Sequence, residues 1–140
     1  MFLLDTNVIS ELRRGKPHGG VAAWFDRVRA ESIQIPAVAI AELQDGAEMT
    51  RIHDPDKARE IERWIDRIMQ TFVVIPMDGA IFREWSRLMV NKSVDLAGDG
   101  MIAATARVMR LVVVTRNIKH FASFNVEVFN PFEYSREERS

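Results

Sequence analysis

The sequence predicts an α/β fold in which helices cover both faces of a central, mostly parallel sheet. Short apolar runs alternate along the chain with longer segments of helical periodicity, as in folds of this class. The middle runs are continuously apolar and rich in β-branched residues, which is typical of strands buried on both faces. With 140 residues the chain fits one domain, for which we take residues 1–134, followed by a polar tail at 135–140.

Five apolar runs are the predicted strands, and they lie at residues 2–4, 33–35, 72–75, 111–114 and 126–129. In open sheets of parallel strands, functional sites lie at the carboxyl ends of the strands. The residues that follow these runs are therefore the first candidates for a site.

The segments between the predicted strands carry helix signals. Asp54 followed by Pro55 is typical of a helix start, and Asp78 begins another helix. After Pro55, apolar residues recur at helical spacing, at Ile61, Trp64, Ile65 and Ile68. The other predicted helices cover residues 6–13, a segment with Trp24, Phe25 and Val28 that follows an interruption at 18–20, residues 38–49, and residues 99–110.

Composition excludes several classes of protein. Because the chain has no cysteine, it has no disulfide framework, no thiolate metal site and no cysteine nucleophile, which suits a reducing cytoplasm. Its first residues, MFLLDTNVI, reach Asp5 too early for an export signal, and no window approaches the ~20 apolar residues of a membrane span. With a net charge of −1, strong binding to nucleic acid would need a local basic rim or a partner.

Three acidic residues stand where such a sheet would place an active site. Asp5 directly follows the first predicted strand, although aspartate there is also a common helix N-cap. Glu42 lies in an otherwise apolar helical segment, either on a narrow solvent-facing strip or aimed at a site. Asp99 lies at the entry to the last long helix, where it or Asp95 could instead be a cap.

Taken together, these acids favour a metal site. Side chains at the starts of helices that follow parallel strands could converge at one edge of the sheet. Carboxylates at close range repel one another unless a cation neutralises them. Oxygen ligands without cysteine favour Mg²⁺ or Mn²⁺ over zinc. A metal held in this way can lower the pKa of a bound water and stabilise the leaving oxygen in phosphodiester hydrolysis.

At these residues the sequence resembles the PIN-domain ribonucleases, and in particular the VapC toxins of bacterial toxin–antitoxin pairs. The resemblance covers essentially the whole chain. The motifs that carry it are MFLLDTNV at 1–8, IAEL at 40–43 with Gly46, DGMIAATA at 99–106, VVTRN at 113–117 followed by Phe121, and NPF at 130–132.

The resemblance implies a three-layer α/β/α sandwich and a metal-dependent endoribonuclease that uses Mg²⁺ or Mn²⁺ to cut RNA. It also implies a homodimer and an antitoxin partner, through which alone the toxin would associate with DNA. By motif position, Asp5, Glu42 and Asp99 correspond to the acidic metal-site residues of the family.

The sequence departs from the family pattern at one position. The usual fourth acid, just before the phenylalanine at 121, is His120 here. Histidine can ligate a metal but lowers the negative charge of the site by one. Asn117, Thr115 and Thr6 are the candidate supporting residues, as orienting amide and hydroxyl groups.

Other conspicuous residues have ordinary interpretations. His18 and His53 lie in polar, turn-like surroundings and are expected to be solvated, whereas Trp24, Trp64 and Trp85 fall on apolar stripes and are expected in a core or an interface. Five basic residues are either solvated surface charges or a local rim for phosphates, namely Arg13, Arg14, Lys16, Arg116 and Lys119.

Two competing functions remain. A phosphatase or signalling receiver also has an aspartate after its first strand, but the phosphatase has a second one two residues later, where this chain has Asn7. A receiver would give Glu42 no role. The other alternative is a PIN-fold interaction domain that binds an antitoxin but has weak or no catalytic activity, and its only support is His120.

Overall fold

The apolar runs form a single sheet of five parallel strands in the computed structural model, which describes residues 1–135. The predicted tail lies outside the described residues except for Ser135. The strand order is β3-β2-β1-β4-β5, and the strands are β1 (Phe2–Leu4), β2 (Ile33–Pro36), β3 (Val73–Ile75), β4 (Val112–Val114) and β5 (Val128–Phe129).

The register of the central strand determines which later residues meet. β1 lies between β2 and β4, with Phe2 opposite Ile33 on one side and Leu4 opposite Val114 on the other. Residues that follow Leu4 and Val114 are therefore neighbours at the carboxyl edge of the sheet, although they are far apart in the sequence.

Seven α-helices connect and cover the described strands, and short 3₁₀ turns complete the connections. The helices are α1 (Thr6–Leu12), α2 (Gly19–Arg27), α3 (Ala37–Arg51), α4 (Pro55–Thr71), α5 (Gly79–Leu88), α6 (Ala97–Met109) and α7 (Ile118–Phe121). The two predicted starts are correct, because the side chain of Asp54 caps α4 and that of Asp78 caps α5. No helix in this described part of the chain is long and apolar enough to cross a membrane.

Two helix boundaries differ from the sequence-based expectation. The glycines at 19 and 20 begin α2 rather than interrupt it, and Val28 lies just after the helix. Gly20 is needed for packing, since a Cβ atom there would lie 2.6 Å from the backbone oxygen of Pro131. α6 begins at Ala97, so Asp99 lies in its first turn; neither Asp99 nor Asp95 caps the helix.

Side chains alternate across β1 and enter two separate cores, which gives the fold its three layers. Leu4 packs with the apolar faces of α1 to α4, and Leu3 packs with those of α5 and α6. Trp24 is buried in the first core, Trp64 packs half-buried against it, and Trp85 packs against the second core. The expected three-layer α/β/α sandwich is thereby confirmed.

Candidate active site

Asp5 lies at the centre of the carboxyl edge of the sheet and is only 4% exposed. One of its carboxylate oxygens accepts a hydrogen bond from the Thr6 backbone N–H at 2.7 Å. The other accepts from the Thr115 hydroxyl at 2.7 Å and from the Asn7 side-chain amide at 3.1 Å. Asp5 is therefore both the cap of α1 and a fixed carboxylate at the candidate site.

Thr115 follows β4 and is fully buried. Besides donating to Asp5, its hydroxyl accepts from the backbone N–H of Asn117 at 2.9 Å. The Asn7 side-chain oxygen accepts from the backbone N–H of Arg116 at 3.3 Å. These bonds tie the loop after β4 to the end of β1, and they identify Asn7 as a positioning residue that the sequence analysis had not assigned to the site.

Glu42 reaches the same edge from α3. A Cβ atom added at Gly98 would lie 3.7 Å from its Oε1, so its carboxylate packs beside the start of α6. The residue as a whole is exposed. Glu42 therefore lies on the solvent-facing side of α3, and its carboxylate is close enough to Asp5 and Asp99 to feel their charges.

Asp99, in the first turn of α6, is paired with His120 of α7. Its Oδ2 lies 3.1 Å from the His120 Nδ1, and the His120 side chain is about half exposed. His120, which stands where the family pattern has a fourth acid, thus contacts Asp99 directly.

The three carboxylates interact electrostatically. Burial raises the pKa of Asp5 above its ordinary value, the bonds from Thr115 and Thr6 lower it, and the charge of Asp99 raises it again. The pKa of Glu42 is also raised, first by desolvation and then by the nearby charge of Asp5. A cation bound at this edge would neutralise the repulsion between these carboxylates.

The oxygen atoms of these residues suit a hard divalent cation, but the side chains are not already arranged as a complete set of metal ligands. Within residues 1–135 no group of three or more Asp, Glu or His side chains has ready-made metal-binding geometry. The Thr6 hydroxyl is buried beside Glu42 and lowers the pKa of that residue, but it makes no hydrogen bond of normal geometry in this part of the chain. A buried hydroxyl that makes no hydrogen bond of normal geometry, next to mutually repelling carboxylates, fits a site for a hydrated cation.

The remaining supporting candidates lie on one side of the acids. A groove of about 310 Å³ is lined by Arg116, Asn117, Ile118, Lys119, His120, Asn130 and Glu133. The Arg116 guanidinium lies 4.5 Å from the centre of the Phe132 ring. Basic side chains therefore flank the acidic centre here, as a phosphate rim would require.

The other histidines and basic residues are divided between structural and surface positions. The His18 Nδ1 accepts from the Gly20 N–H at 3.1 Å and caps α2, while His53 is exposed in the turn after α3. Arg14 is paired with the buried Glu11 at 3.2 Å, so its charge is partly neutralised. Lys16 is exposed, and Arg13 is exposed with its guanidinium 6.0 Å from the centre of the Trp64 ring.

Comparison with known proteins identifies the family. The family model described as PIN domain matches residues 2–125. Toxin FitB of Neisseria gonorrhoeae is 36% identical over 138 residues, which cover 94% of this chain and 99% of that protein. VapC ribonuclease Y4jK of Sinorhizobium fredii is 33% identical over 141 residues, with 95% and 99% covered. The chain therefore belongs to the PIN-domain family, and its relatives include a toxin and a VapC ribonuclease.

Solved structures agree with this assignment. The crystal structure of FitAcB from Neisseria gonorrhoeae has a TM-score of 0.83 at 33% identity, covering 95% of this chain and 99% of that one. A toxin–antitoxin complex from Klebsiella pneumoniae has a TM-score of 0.72 at 24% identity, covering 94% and 98%, and shares the fold. The resemblance to VapC-type toxins is confirmed at the level of the family, while the role of each site residue stays a prediction.

Proposed function

We propose that this protein is a metal-dependent endoribonuclease and the toxin of a toxin–antitoxin pair. The observation that carries the proposal is the convergence of Asp5, Glu42 and Asp99 at the carboxyl edge of the parallel sheet, with raised pKa values at Asp5 and Glu42. Three carboxylates that repel one another in a partly buried site favour the binding of a divalent cation, for which they would be the ligands.

Each residue of the candidate site has a separate proposed role. A Mg²⁺ or Mn²⁺ ion bound by Asp5, Glu42 and Asp99 would activate water and stabilise the charge on the leaving oxygen. Asp5 cannot rotate freely, because three hydrogen bonds hold its two oxygens. The Glu42 residue is exposed and its carboxylate lies beside the start of α6, so it can hold the cation on the side that faces solvent. His120 holds the Asp99 carboxylate in place at Oδ2.

The proposed partners follow from the relatives. One relative is named a toxin, and a toxin–antitoxin complex shares the fold. We therefore propose that an antitoxin binds this chain and that the chain associates with DNA only through the antitoxin. The homodimer is proposed from the resemblance to VapC toxins alone. A toxin that acts on cellular RNA would work in the cytoplasm.

The test is cleavage by the purified chain, free of any partner, of a pool of cellular RNA in Mg²⁺, Mn²⁺ or EDTA. Asp5→Asn and Asp99→Asn are the test variants, and Asp66→Asn is the matched control because Asp66 is an exposed acid on α4. The proposal predicts cleavage that needs metal, is lost in both test variants and is retained in the control. Folded protein that cleaves no RNA with either metal would contradict it.

The second candidate is a PIN-fold interaction domain of weakened activity, and the observation in its favour is His120 at the position of the fourth acid. If this candidate is correct, the unaltered chain is inactive and His120→Asp gains cleavage. The phosphatase alternative loses its remaining support, because Asn7, where a second aspartate would stand, donates its amide to Asp5.

A further inference from the structure

A groove of about 340 Å³ between the end of α1 and one face of α4 concentrates positive charge. It is lined by Arg13, Glu60, Arg63, Trp64 and Arg67. The four α4 residues lie on one helical face, since their spacing is i, i+3, i+4 and i+7. Three arginines and one glutamate thus line the groove, in a chain whose net charge is −1.

The arginines of this groove are not engaged elsewhere. Within residues 1–135 no ion pair involves Arg13, Arg63 or Arg67. The neighbouring Arg51 and Arg59, by contrast, are paired with Glu62 and Asp56. Three unpaired arginines therefore meet in the groove, whereas Lys57 is an isolated exposed cation elsewhere on α4.

The groove adjoins the candidate active site, because two of its residues also line a pocket at the acids. Arg13 and Trp64 also line a second pocket of about 190 Å³, whose other walls include Thr6, Ser10 and Glu42. A chain bound along the arginines would therefore pass Trp64 and arrive at the carboxylates.

We propose that this groove binds the phosphate backbone of the RNA segment next to the bond that is cut. The inference rests on the proposed ribonuclease function for the identity of its ligand. Guanidinium groups bind phosphate in a bidentate manner. Arg63 and Arg67 are one helical turn apart, about 5–6 Å between Cβ atoms, so both can contact one extended strand. Trp64 and Arg13 supply planar groups on which a base can stack.

RNA accounts for the groove better than an acidic protein segment does. The acidic centre repels a polyanion, so a substrate that must reach Glu42 needs a cationic anchor close by. A protein segment that bound only the arginines would not need the groove to lie beside the pocket that Glu42 lines. The mixture of guanidinium and aromatic groups is also that of single-strand nucleic-acid sites.

The test measures binding by fluorescence anisotropy of a labelled single-stranded RNA in EDTA, where metal-dependent cleavage cannot occur. The test variant carries Arg63→Ala and Arg67→Ala. The control carries Lys57→Ala and Arg59→Ala, which remove the same charge from the same helix outside the groove. All four side chains are exposed, so both variants are expected to fold.

We expect the dissociation constant to rise about tenfold or more in the test variant and about twofold or less in the control. The slope of log affinity against log salt should fall by about 1.4, which is two phosphate contacts at about 0.7 each. Unchanged affinity, equal losses in both variants, or no binding of RNA to the unaltered protein would overturn the proposal. So would a groove that binds labelled polyglutamate and not RNA. Because binding is measured without catalysis, failure of the ribonuclease function would be seen separately, in the cleavage assay.

Discussion

Replacing Thr115 by valine removes one hydroxyl from the interior of the candidate site and leaves its volume nearly unchanged. That hydroxyl donates to the buried Asp5 carboxylate at 2.7 Å and accepts from the Asn117 N–H at 2.9 Å. Asn117 is exposed, so water can replace the acceptor that its N–H loses. Asp5 is buried and keeps only its bonds from Asn7 and Thr6. Most of the lost stability therefore comes from the hydrogen bond that the Asp5 carboxylate no longer accepts.

A hydrogen bond to a charged group contributes about 1.5–3 kcal/mol, and we expect Thr115→Val to lower the free energy of unfolding by about 2 kcal/mol. For a chain of this size that is a fall of about 6 °C in the midpoint of thermal unfolding. Thr115→Ser keeps the hydroxyl and is the matched control. Unfolding should be followed in EDTA at pH 7, so that no metal contributes.

The pH dependence of this loss has a definite sign. The Thr115 hydrogen bond lowers the pKa of Asp5, so its removal raises that pKa. Thr115→Val therefore lowers the free energy of unfolding by the full amount at any pH above the pKa that Asp5 has in the variant. As the pH falls through the pKa that Asp5 has in the unaltered protein, this loss of stability disappears. A valine variant that unfolds at the same temperature as the serine variant at pH 7 would refute this account of Asp5.

Two further predictions concern the acids and the glycines. In EDTA at pH 7, Glu42→Gln should raise the free energy of unfolding by about 0.5 kcal/mol after allowance for solvent screening. The reason is that the raised pKa of Glu42 means that the native fold disfavours its charged form. Thermal unfolding should show the gain at pH 7 and no gain at pH 4, which is below the ordinary pKa of glutamate. Gly20→Ala should cost about 3 kcal/mol in urea denaturation, since its Cβ would lie 2.6 Å from the Pro131 backbone oxygen. Gly46→Ala, where nothing lies within 4 Å, should instead gain about 1 kcal/mol; equal effects of the two alanines would show that packing around Gly20 is not the cause.

Much of the fold could be predicted because local signals agree with the final packing. All five predicted strands are present, and both aspartates expected to start α4 and α5 do so. The start of α2 was wrong for a tertiary reason. Glycine normally disfavours a helix, but position 20 must be glycine because α2 closely approaches the backbone of Pro131, a contact that no local pattern reveals.

The sequence predicted the acids and several supporting residues of the candidate site, but it did not predict which of them bond to each other, and it missed Asn7. Parallel strand ends bring Asp5, Glu42 and Asp99 to one edge, and this follows from sequence order and sheet type. The bond between Asp5 and Thr115 depends on β1 pairing with β4 with Leu4 opposite Val114, which periodicity does not specify. The groove at Arg13 likewise depends on how the end of α1 lies beside α4; the sequence singled out Arg13 as a possible rim residue, but nothing in it set Arg63 and Arg67 apart.

The central claim is that the three carboxylates bind a divalent cation, and thermal unfolding during a Mn²⁺ titration tests it most directly. The unaltered chain should gain about 2.7 kcal/mol at a Mn²⁺ concentration one hundred times the dissociation constant, or about 8 °C in the unfolding midpoint. Asp99→Asn should lose most of this gain, whereas Asp95→Asn, an exposed acid four residues earlier, should keep it. An equal response to Mn²⁺ in both variants, or no response in the unaltered chain, would contradict the claim.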